Sequence, residues 1–581
     1  MESVGTPDAV TSAHAIGDAK RFKPTGISGD LAFWLMATAC AGYLLYLGRH
    51  TTFFYDEWSW IEQRRGWSPG NFLRNHNGHC SILPVFVYHV LFATTGLRSY
   101  LPYRIVLMAV HTLTAYSLYR YGRPRIGPLL SLVPAGMVLL LGVAWQDLMW
   151  PLQIGFLGAL GLGMAALLLL DGPDTTRRNV GACLCLLAAV SCSGIGLPLL
   201  AGAALRCALR RQWHRWWVVA VPGLCYAAWF ARYGLAQRSR GSAGQILVYF
   251  GDSYRAGVGA LTGHDAGHWQ NGAFVLGLVL VVAAAARAVT LVRQGKSAAD
   301  LVSVAAISIV LWSLTAITRA QYHDAGASRY LYIDAFLILA ALIEVVRGIH
   351  RTPGSGGTAT AVRRALGAGL AVAAVASTLT GLSSLHHGTR GLTSASAYVR
   401  AELAAVEHSR PGARYHPDTR RMTVVTAGGY LAARQALGSP ALAWSDIQGQ
   451  SPAVRHQVDR VLLQAGGNLI YAPAEAPAAP DSYAPPVLSS LSRGRTRALG
   501  SCTDLTPVAG QLTATLALPP HRLTIATQGL AHLLGRRFGL SMIGFVNQRK
   551  NRAATLTASA DGASTPWRIK IVSKEPVRLC D

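Results

Sequence analysis

The chain has 581 residues, of which 51% are hydrophobic and 14% are charged, and its mean hydropathy is positive. A chain of this length and composition is too apolar for a single soluble domain and indicates a membrane protein. The formal net charge is +26, but the lysines and arginines are scattered between apolar runs and form no single solvated face. We therefore expect membrane lipid and phosphate as partners, and no nucleic acid.

Apolar stretches of membrane-spanning length recur along the first two thirds of the chain. Residues 1–29 are polar and lack a signal-peptide cleavage site, so they are predicted to form a cytoplasmic tail. A helix needs about 20 apolar residues to cross a hydrocarbon core of about 30 Å. About eleven spans are predicted on this basis, at 31–48, 103–120, 127–145, 153–170, 179–194, 196–209, 216–233, 271–291, 299–317, 330–348 and 365–386. The segment "SCSGIGLPLL" leaves open whether the fifth and sixth spans are two helices or one re-entrant element.

The basic loops set the predicted orientation. With a cytoplasmic N-terminus, loops such as "RYGRPR", "RCALRRQWHR" and "RQGK" fall inside, as the positive-inside rule requires. The remaining loops then fall outside, at 49–102, "WQDLMWPLQ", 234–270 and 318–329. The C-terminal domain is expected on that same extracytoplasmic side of the cell membrane. One helix more or fewer would move it to the other side.

From about residue 388 the apolar runs stop and the pattern becomes that of a globular domain. The amphipathic segment "SAYVRAELAAVEHSR" predicts a helix, and a Pro and Ala-rich linker follows near residue 480. From about 485, segments such as "QLTATLAL" and "WRIKIVS" alternate with period two, as in a small β-sandwich. The predicted fold class is therefore a polytopic α-helical membrane domain over 30–387, followed by an α/β-to-β-rich domain over 388–581. A disulfide between Cys502 and Cys580 is expected if this domain lies outside.

The first outside loop, 49–102, carries the most informative motif. Asp56 and Glu57 lie a few residues beyond the first span, among aromatic residues that include Trp58. Alone, this pattern also fits an interfacial aromatic belt with solvated charges. The loop continues into "NHNGH", "LPVFVYHVLFATTGL" and "YRIVLMAVHTLTAYSLY". Together these segments resemble the GT-C superfamily of integral-membrane glycosyltransferases, such as protein mannosyltransferases, aminoarabinose transferases and mycobacterial arabinofuranosyltransferases. The motif resemblance covers the first two spans and the loop between them, and the rest only in architecture.

The resemblance implies a reaction and a role for each acid. The donor in that superfamily is usually a polyprenyl-phosphate-linked sugar, and an acid of the first loop activates the acceptor hydroxyl. By position Asp56 would be this general base, in a direct displacement that inverts the sugar carbon. Adjacent side chains point in different directions, so Glu57 is expected to form hydrogen bonds or to orient the acceptor. The acceptor would be a cell-envelope glycan, a lipid or a protein.

The leaving group in such a reaction is a lipid phosphate, which calls for cationic side chains near the outer membrane face. The loop "TRAQYHDAGASRYLYID" offers Arg319, Arg329 and Tyr330 at this height, and Arg329 is favoured because it opens the tenth span. The alternative is that these arginines only extend to the lipid headgroups. Asp334 lies one turn into that span, where an acid is costly unless it is paired or faces a cavity, and pairing with an arginine is one expectation.

Two more groups of residues are candidates for a sugar or acceptor pocket and for a metal site. Asp147 and Gln153 lie between and beside tryptophans in a short outside loop, and Trp58 and His79 of the first loop complete the predicted pocket, with an aromatic belt as the alternative. His264, Asp265 and His268 have the spacing of metal ligands, which His76 and His79 would extend. A divalent cation is the less favoured version, and no cofactor is expected.

The function that these residues favour is an enzyme, a hexosyl- or pentosyltransferase dependent on a polyprenyl-phosphate sugar. The alternative from another class is a polytopic transporter or a flippase of lipid-linked glycans. That class is marked by charges at mid-membrane and by broken helices in matching halves, and neither is convincing in this sequence. A sensor or scaffold with an outside binding domain would leave the first loop unexplained.

Overall fold

The computed structural model describes most of the chain, namely residues 28–234, 241–264, 270–347, 357–409, 411–418, 420–422, 425–465, 469–474, 485–519, 522–559 and 564–581. All structural statements below concern these residues. The chain folds into a helical region followed by a smaller region that ends in a β-sandwich.

The helical region runs from α1 to α16. Its helices are α1 Gly29–Leu47, α2 Glu57–Gln63, α3 Pro69–Leu73, α4 Ile82–Thr94, α5 Leu101–Ile126, α6 Leu132–Leu139, α7 Trp145–Met149, α8 Ile154–Asp171, α9 Thr176–Cys192, α10 Gly196–Leu209, α11 Trp216–Trp229, α12 Ala243–Ala260, α13 Gln270–Arg293, α14 Ala299–Arg319, α15 Ser328–Val346 and α16 Gly357–His408. Short 3₁₀ turns lie at Gly142–Ala144, Pro151–Gln153, Trp213–Arg215 and Ala320–Tyr322. A π-helical turn extends α11 over Phe230–Gly234.

Every predicted span coincides with a helix or, for the third, with α6 and α7 and the turn between them. Within the described part of the chain, six helical segments are long and apolar enough to cross a membrane. The fold class of a polytopic helical membrane protein is therefore confirmed. The segment "SCSGIGLPLL" forms two helices, because α9 ends at Cys192 and α10 begins at Gly196 after a tight turn.

Two predicted loops contain helices that hydropathy alone does not reveal. The loop 49–102 includes α4, which is apolar but has only 13 residues and is too short to span a bilayer. The loop 234–270 includes α12, which starts with a capping box between Ser242 and Gln245. α12 is amphipathic, and a window that averages hydropathy over a spanning length does not detect such a helix.

Buried ion pairs join the helix ends farthest from the C-terminal region. Arg125 of α5 contacts Asp171 of α8 at 2.9 Å and also pairs with Glu344 of α15. Asp300 of α14 accepts contacts from Arg206 of α10 at 3.1 Å and from further arginines. We call these residues the basal ion cluster. Each charged side chain in it lies close to a side chain of opposite charge, as buried charges require. The cluster therefore fixes five helices relative to one another.

The helix α16 is continuous across the predicted domain boundary at 388. It has 52 residues, which corresponds to about 78 Å at 1.5 Å per residue. The eleventh predicted span and the amphipathic segment "SAYVRAELAAVEHSR" are thus two parts of one helix. The membrane region and the C-terminal region share this element.

The C-terminal region contains two helices and two antiparallel sheets. The helices are α17 Ala427–Leu437 and α18 Pro452–Ala465. The strands are β1 Leu469–Ala474, β2 Leu488–Ser492, β3 Gly494–Leu499, β4 Cys502–Pro507, β5 Leu512–Ala517, β6 Leu523–Thr527, β7 Ala531–Arg536, β8 Ile543–Gln548, β9 Arg552–Ala558, β10 Arg568–Ser573 and β11 Val577–Cys580. The six-stranded sheet has the order β1-β9-β6-β11-β4-β3, and the five-stranded sheet has the order β2-β5-β10-β7-β8.

Period-two alternation explains the sandwich. The central strands β5, β6, β7 and β10 alternate buried and more exposed residues. Their buried side chains form the core between the sheets, as in other sandwiches. One strand lies outside the predicted limits, because β1 precedes residue 485 and pairs with β9. The predicted linker lies largely outside the described residues.

A disulfide bond joins Cys502 of β4 to Cys580 of β11. The two residues are partners in the antiparallel ladder, with their Cα atoms 4.1 Å apart. The bond closes a loop of 78 residues, which includes most of the strands of the sandwich.

The C-terminal region packs directly on the first loop. Thr426, which caps α17, donates its backbone N–H and its hydroxyl to Glu62 of α2, at 3.1 and 2.7 Å. The N–H of Leu97 donates to the carbonyl of Leu437 at 2.8 Å. The adjacent Gly96 has φ +60°, and a Cβ there would lie 2.1 Å from the same carbonyl oxygen. This close approach requires glycine.

Candidate active site

Asp56 lies at the turn between the first span and α2. Tyr55, immediately before it, has φ +48°, which is unfavourable for a bulky residue. The turn is held from the C-terminal side, because the N–H of Tyr55 donates to the carbonyl of Arg421 at 2.8 Å. The Asp56 side chain is half-buried, and its Oδ2 accepts a hydrogen bond of 2.9 Å from Nδ2 of Asn77.

Burial raises the pKa of Asp56 above its ordinary value, against three opposing influences. The hydrogen bond from Asn77 and the positive charges of Arg329 and Arg319 each lower it. A carboxylate with a raised pKa is a stronger base than one with the ordinary value. Asp56 therefore has the electrostatic surroundings that a general base needs.

Glu57 points away from Asp56 into a fully buried hydrogen-bond hub. Its Oε1 accepts from the hydroxyl of Tyr88 at 2.5 Å, and its Oε2 accepts from the hydroxyl of Tyr100 at 2.8 Å. Oε2 also accepts from Nε1 of Trp150 at 3.1 Å and from the N–H of Phe54 at 2.8 Å. Burial raises the pKa of Glu57 to about 7 even though all four donors favour the charged form. Glu57 thus ties α4, α5 and the α7 segment to the turn that carries Asp56.

Asp56 faces a cavity of about 760 Å³ at the end of the helical region that contacts the C-terminal residues. We call it the first cavity. Of the residues predicted from the sequence, it is lined by Asp56, His79, Gln153, Arg319, Arg329 and Tyr330. These side chains come from separate loops and helices, so the fold brings together a carboxylate, Arg319, Arg329 and polar groups that are far apart in the sequence.

Arg319 and Arg329 are held in place at the first cavity by different partners. Arg319, at the end of α14, donates to the carbonyl of Asn77 at 2.9 Å. Arg329, at the start of α15, pairs with Asp324 at 2.6 Å, and its guanidinium carbon lies 4.9 Å from the centre of the Tyr330 ring. Because Asn77 contacts both Arg319 and Asp56, a single residue joins this carboxylate to one of the arginines.

Unfavourable backbone conformations are concentrated around this cavity. Among the described residues, seven other than glycine have positive φ, and three of them line the first cavity, namely Tyr55, Asn77 and His323. Such conformations cost free energy and are found preferentially at functional sites. Their clustering supports this cavity as the site.

An apolar groove of about 1160 Å³ begins beside the first cavity. The two share Pro84 and Cys192. The groove is lined by apolar side chains of α4, α5, α8 and α9, and it ends near Arg123 and Arg178 at the opposite ends of the helices. A groove of this character along the helices suits a lipid chain.

Three predicted site residues do not line the first cavity. Glu57 occupies the buried hub described above. Trp58 is buried, donates its Nε1 to the carbonyl of Phe53 at 3.1 Å, and packs against Tyr430. Asp147 is fully buried in α7, and neither of its carboxylate oxygens has a hydrogen-bond partner within the described structure.

The hydrogen-bond partner of Asp334 is not the arginine that was expected. The residue is buried in α15, and its Oδ1 accepts a hydrogen bond of 2.8 Å from Nε1 of Trp312 on α14. Helix α14 therefore supplies the partner through a tryptophan, and the expectation that Asp334 pairs with an arginine was wrong.

Two histidines of "NHNGH" lie together at the cavity wall. His76 and His79 exchange backbone hydrogen bonds of 3.1 and 2.9 Å. Burial lowers the pKa of His76 to about 3 and that of His79 to about 4, so both are neutral at pH 7. Within the described part of the chain, no three side chains of His, Cys, Asp or Glu are grouped as metal ligands. The predicted ligands Asp265 and His268 lie outside the described residues.

The cavity includes residues that the sequence reasoning did not single out. Asn77 lies inside the motif "NHNGH", between His76 and Gly78. Gln146 lines the cavity and accepts the N–H of Arg329 at 3.2 Å, directly beside the predicted Asp147. Arg420 also lines it, from the C-terminal region, and no motif surrounds it in the sequence.

Comparison with known proteins gives two solved structures of similar architecture. ArnT from Cupriavidus metallidurans, bound to undecaprenyl phosphate, is 15% identical with a TM-score of 0.43, and the match covers 71% of this chain and 85% of that chain. Arabinosyltransferase EmbB from Mycobacterium smegmatis is 12% identical with a TM-score of 0.36, and the match covers 97% of this chain and 65% of that chain. No protein-family model and no curated protein matches the sequence.

Proposed function

We propose that this chain is a membrane glycosyltransferase that moves a sugar from a polyprenyl-phosphate donor to a cell-envelope glycan, lipid or protein on the outer face of the membrane. The observation that carries the proposal is that one cavity contains Asp56, Arg319 and Arg329 and borders an apolar groove. A lipid-phosphate donor needs these three features together, because it has an isoprenoid chain, a phosphate and a sugar carbon to be attacked.

The reaction is a single displacement at the sugar carbon. The acceptor hydroxyl oxygen attacks this carbon while its proton passes to the carboxylate of Asp56. The bond from the carbon to the phosphate oxygen breaks, and the electron pair leaves with the polyprenyl phosphate. One base is sufficient and no covalent enzyme intermediate forms, so the configuration inverts.

Negative charge grows on the departing phosphate, and the arginines are suited to stabilise it. Guanidinium groups form paired, charge-assisted hydrogen bonds with phosphate oxygens. Arg319 and Arg329 are already oriented by Asn77 and Asp324, so little reorganisation is needed when charge develops. Because Arg319 and Arg329 already supply positive charge at the cavity, we favour a version of the reaction without a divalent metal.

The lipid chain of the donor and its headgroup are assigned to adjoining spaces. The isoprenoid part lies in the apolar groove, between α4, α5, α8 and α9. The phosphate lies in the first cavity, which adjoins the groove at Pro84 and Cys192. His79, Gln153 and Tyr330 then line the space for the sugar or the acceptor.

The experiment that tests this proposal is the substitution Asp56→Asn, assayed in whole cells by glycan composition and in membranes with radiolabelled polyprenyl-phosphate sugars. We expect the loss of one specific sugar from the envelope at a normal protein level. The matched control is Asp446→Asn, which removes an exposed carboxylate of the C-terminal region and should leave the glycan unchanged. Unchanged glycan composition in the Asp56 variant would contradict the catalytic assignment.

A flippase for lipid-linked glycans is the second candidate, since the apolar groove reaches the opposite ends of the helices. It needs no base, so Asp56→Asn would leave transport of the lipid intact. Accumulation of the unreacted donor on the outer leaflet in the Asp56 variant supports the transferase, whereas no accumulation on either leaflet supports the flippase.

A further inference from the structure

A second cavity of about 820 Å³ adjoins the first one. Both cavities are lined by Gln146, Asp324 and Arg329, which therefore form the wall between them. The far side of the second cavity is formed by α16, through Ser383, Ser384, His386, His387 and Arg390. The reaction proposed above makes no use of this space.

The lining of the second cavity is cationic and rich in hydrogen-bond donors. Arg390 and His387 are exposed and make no hydrogen bond or ion pair with any residue that the structure describes. His386 is held by a hydrogen bond of 2.8 Å to the hydroxyl of Tyr43. Asp324 is the acid in the lining, and its charge is balanced by Arg329 at 2.6 Å. One arginine without a partner thus faces the cavity together with two histidines.

The start of α15 adds to this positive character. Gly326, Ala327 and Ser328 line the cavity, and the N-cap Ala327 has no side chain that can cap the helix. The 19-residue helix α15 directs the positive end of its dipole to this place. The hydroxyl of Ser328 is already engaged with the carbonyl of Val143 at 2.8 Å, which fixes the local backbone.

We propose that the second cavity binds a phosphate group of the acceptor while the acceptor hydroxyl reaches Asp56 in the first cavity. This inference rests on the proposed glycosyltransferase function, and it adds the chemical class of the acceptor, a phosphate ester. A tetrahedral phosphate accepts donors from several directions, and here they come from α16, from the start of α15 and from the wall. A neutral glycan would instead favour aromatic walls, and Trp145 is the aromatic residue of this lining.

The wall between the two cavities, formed by Gln146, Asp324 and Arg329, explains how one acceptor molecule can occupy both cavities. Arg329 faces both cavities, so its charge is shared between the leaving phosphate on one side and the acceptor phosphate on the other. An acceptor whose hydroxyl and phosphate are a few bonds apart can extend over Gln146 and Arg329. The second cavity would then select phosphorylated acceptors over neutral ones.

The test measures phosphate binding to the full-length protein in dodecyl maltoside, followed by ³¹P line broadening. The first cavity is saturated with farnesyl phosphate, and two probes are then added separately, inorganic phosphate and dihexanoyl phosphatidic acid. We expect one further probe molecule to bind. The double variant Arg390→Gln with His387→Gln should weaken this binding about tenfold or more, which corresponds to the loss of one charge-assisted hydrogen bond.

The matched control is Arg319→Gln, because Arg319 lines the first cavity and not the second. This variant should weaken the binding of farnesyl phosphate and leave the binding of both phosphate probes at the second cavity unaffected. Equal binding of both probes supports a site for the phosphate group alone, and preference for phosphatidic acid supports a lipid acceptor. Unchanged binding in the double variant, or no binding beyond farnesyl phosphate, would overturn the inference. Failure of farnesyl phosphate to bind, with phosphate binding that still depends on Arg390, would count against the proposed function instead.

Discussion

The side-chain amide of Asn77 donates to Oδ2 of Asp56 at 2.9 Å, and it links two parts of the first loop that are 21 residues apart. The carbonyl of Asn77 accepts a hydrogen bond from Arg319 in turn. One residue outside the paired acids therefore positions the candidate base and one of the cations of the first cavity. This relationship leads to a pH prediction.

The change Asn77→Gly removes the side-chain hydrogen bond and tolerates the φ of +50° at this position. The hydrogen bond lowers the pKa of Asp56, so its loss should raise that pKa further. Activity that depends on ionised Asp56 is lost as pH falls through its pKa. The acidic limb of kcat/KM should therefore move to higher pH in the variant. A pH profile of transfer checks this, and an acidic limb that stays in place would contradict Asp56 as the base.

Glu57 should be essential for the fold and not for proton transfer. In Glu57→Ala, four buried donors lose their acceptor, and each unsatisfied group costs about 1–3 kcal/mol. In Glu57→Gln one oxygen remains to accept, so most of the stability and activity should be retained. Thermal unfolding of both purified variants measures the difference. Equal loss of activity in both, at normal stability, would point to a role in the chemistry.

Arg329→Lys should restore little of the activity that Arg329→Gln loses. The guanidinium contacts Asp324 and faces both cavities, and an ammonium group cannot form paired bonds in two directions. We expect a fall in kcat of about 10²–10³-fold, as for loss of one group that stabilises developing charge. Transfer kinetics with the same donor measure it. A fall in protein level that accounts for the lost activity would contradict this reading.

Gly96→Ala should weaken the contact between the first loop and the C-terminal region. A Cβ at this position would lie 2.1 Å from the carbonyl oxygen of Leu437, and φ is +60°. The control is Gly42→Ala in α1, where a Cβ meets nothing within 4 Å. Limited proteolysis should cleave the C-terminal region faster in the Gly96 variant and at the original rate in the control. Equal rates would show that the contact is not required.

Loss of the disulfide should destabilise the sandwich. The double substitution Cys502→Ser with Cys580→Ser opens a loop of 78 residues, for which the chain-entropy relation gives about 4.5 kcal/mol. Thermal unfolding of the double variant, compared with the unreduced protein, checks the size of the effect. The seven other cysteines are free. Thiol labelling under denaturing conditions should therefore detect the same seven cysteines in the variant and in the unreduced protein, which serves as an internal control.

The helices and the central strands were predictable because each has a simple periodic signal. Runs of apolar residues gave α1, α8 and α13, and period two gave β5 and β10. The short α4 and the amphipathic α12 were not predicted, because neither is long and apolar enough to be recognised as a membrane span. β1 lies before the predicted start of the sandwich at about residue 485, and it belongs to the sandwich through its pairing with β9, which lies far along the sequence.

The site was partly predictable, since charges at span ends pointed to Asp56 and Arg329. The direction in which a side chain points could not be read in the same way. Trp58 and Asp147 lie in polar, aromatic segments that fit a pocket, yet both are buried away from the cavity. Their orientation depends on contacts with Tyr430 and on the packing of α7, which are long-range features.

The number of residues in the continuous helix α16 determines the position and the orientation of the C-terminal region that follows it. Each residue in a helix adds 1.5 Å of rise and about 100° of rotation, so a single insertion along its outer half would swing the C-terminal region by more than a quarter turn. Arg420 reaches the first cavity, and Arg421 reaches Tyr55, only at the present count of residues. The length of α16 therefore determines which residues of the C-terminal region reach the first cavity.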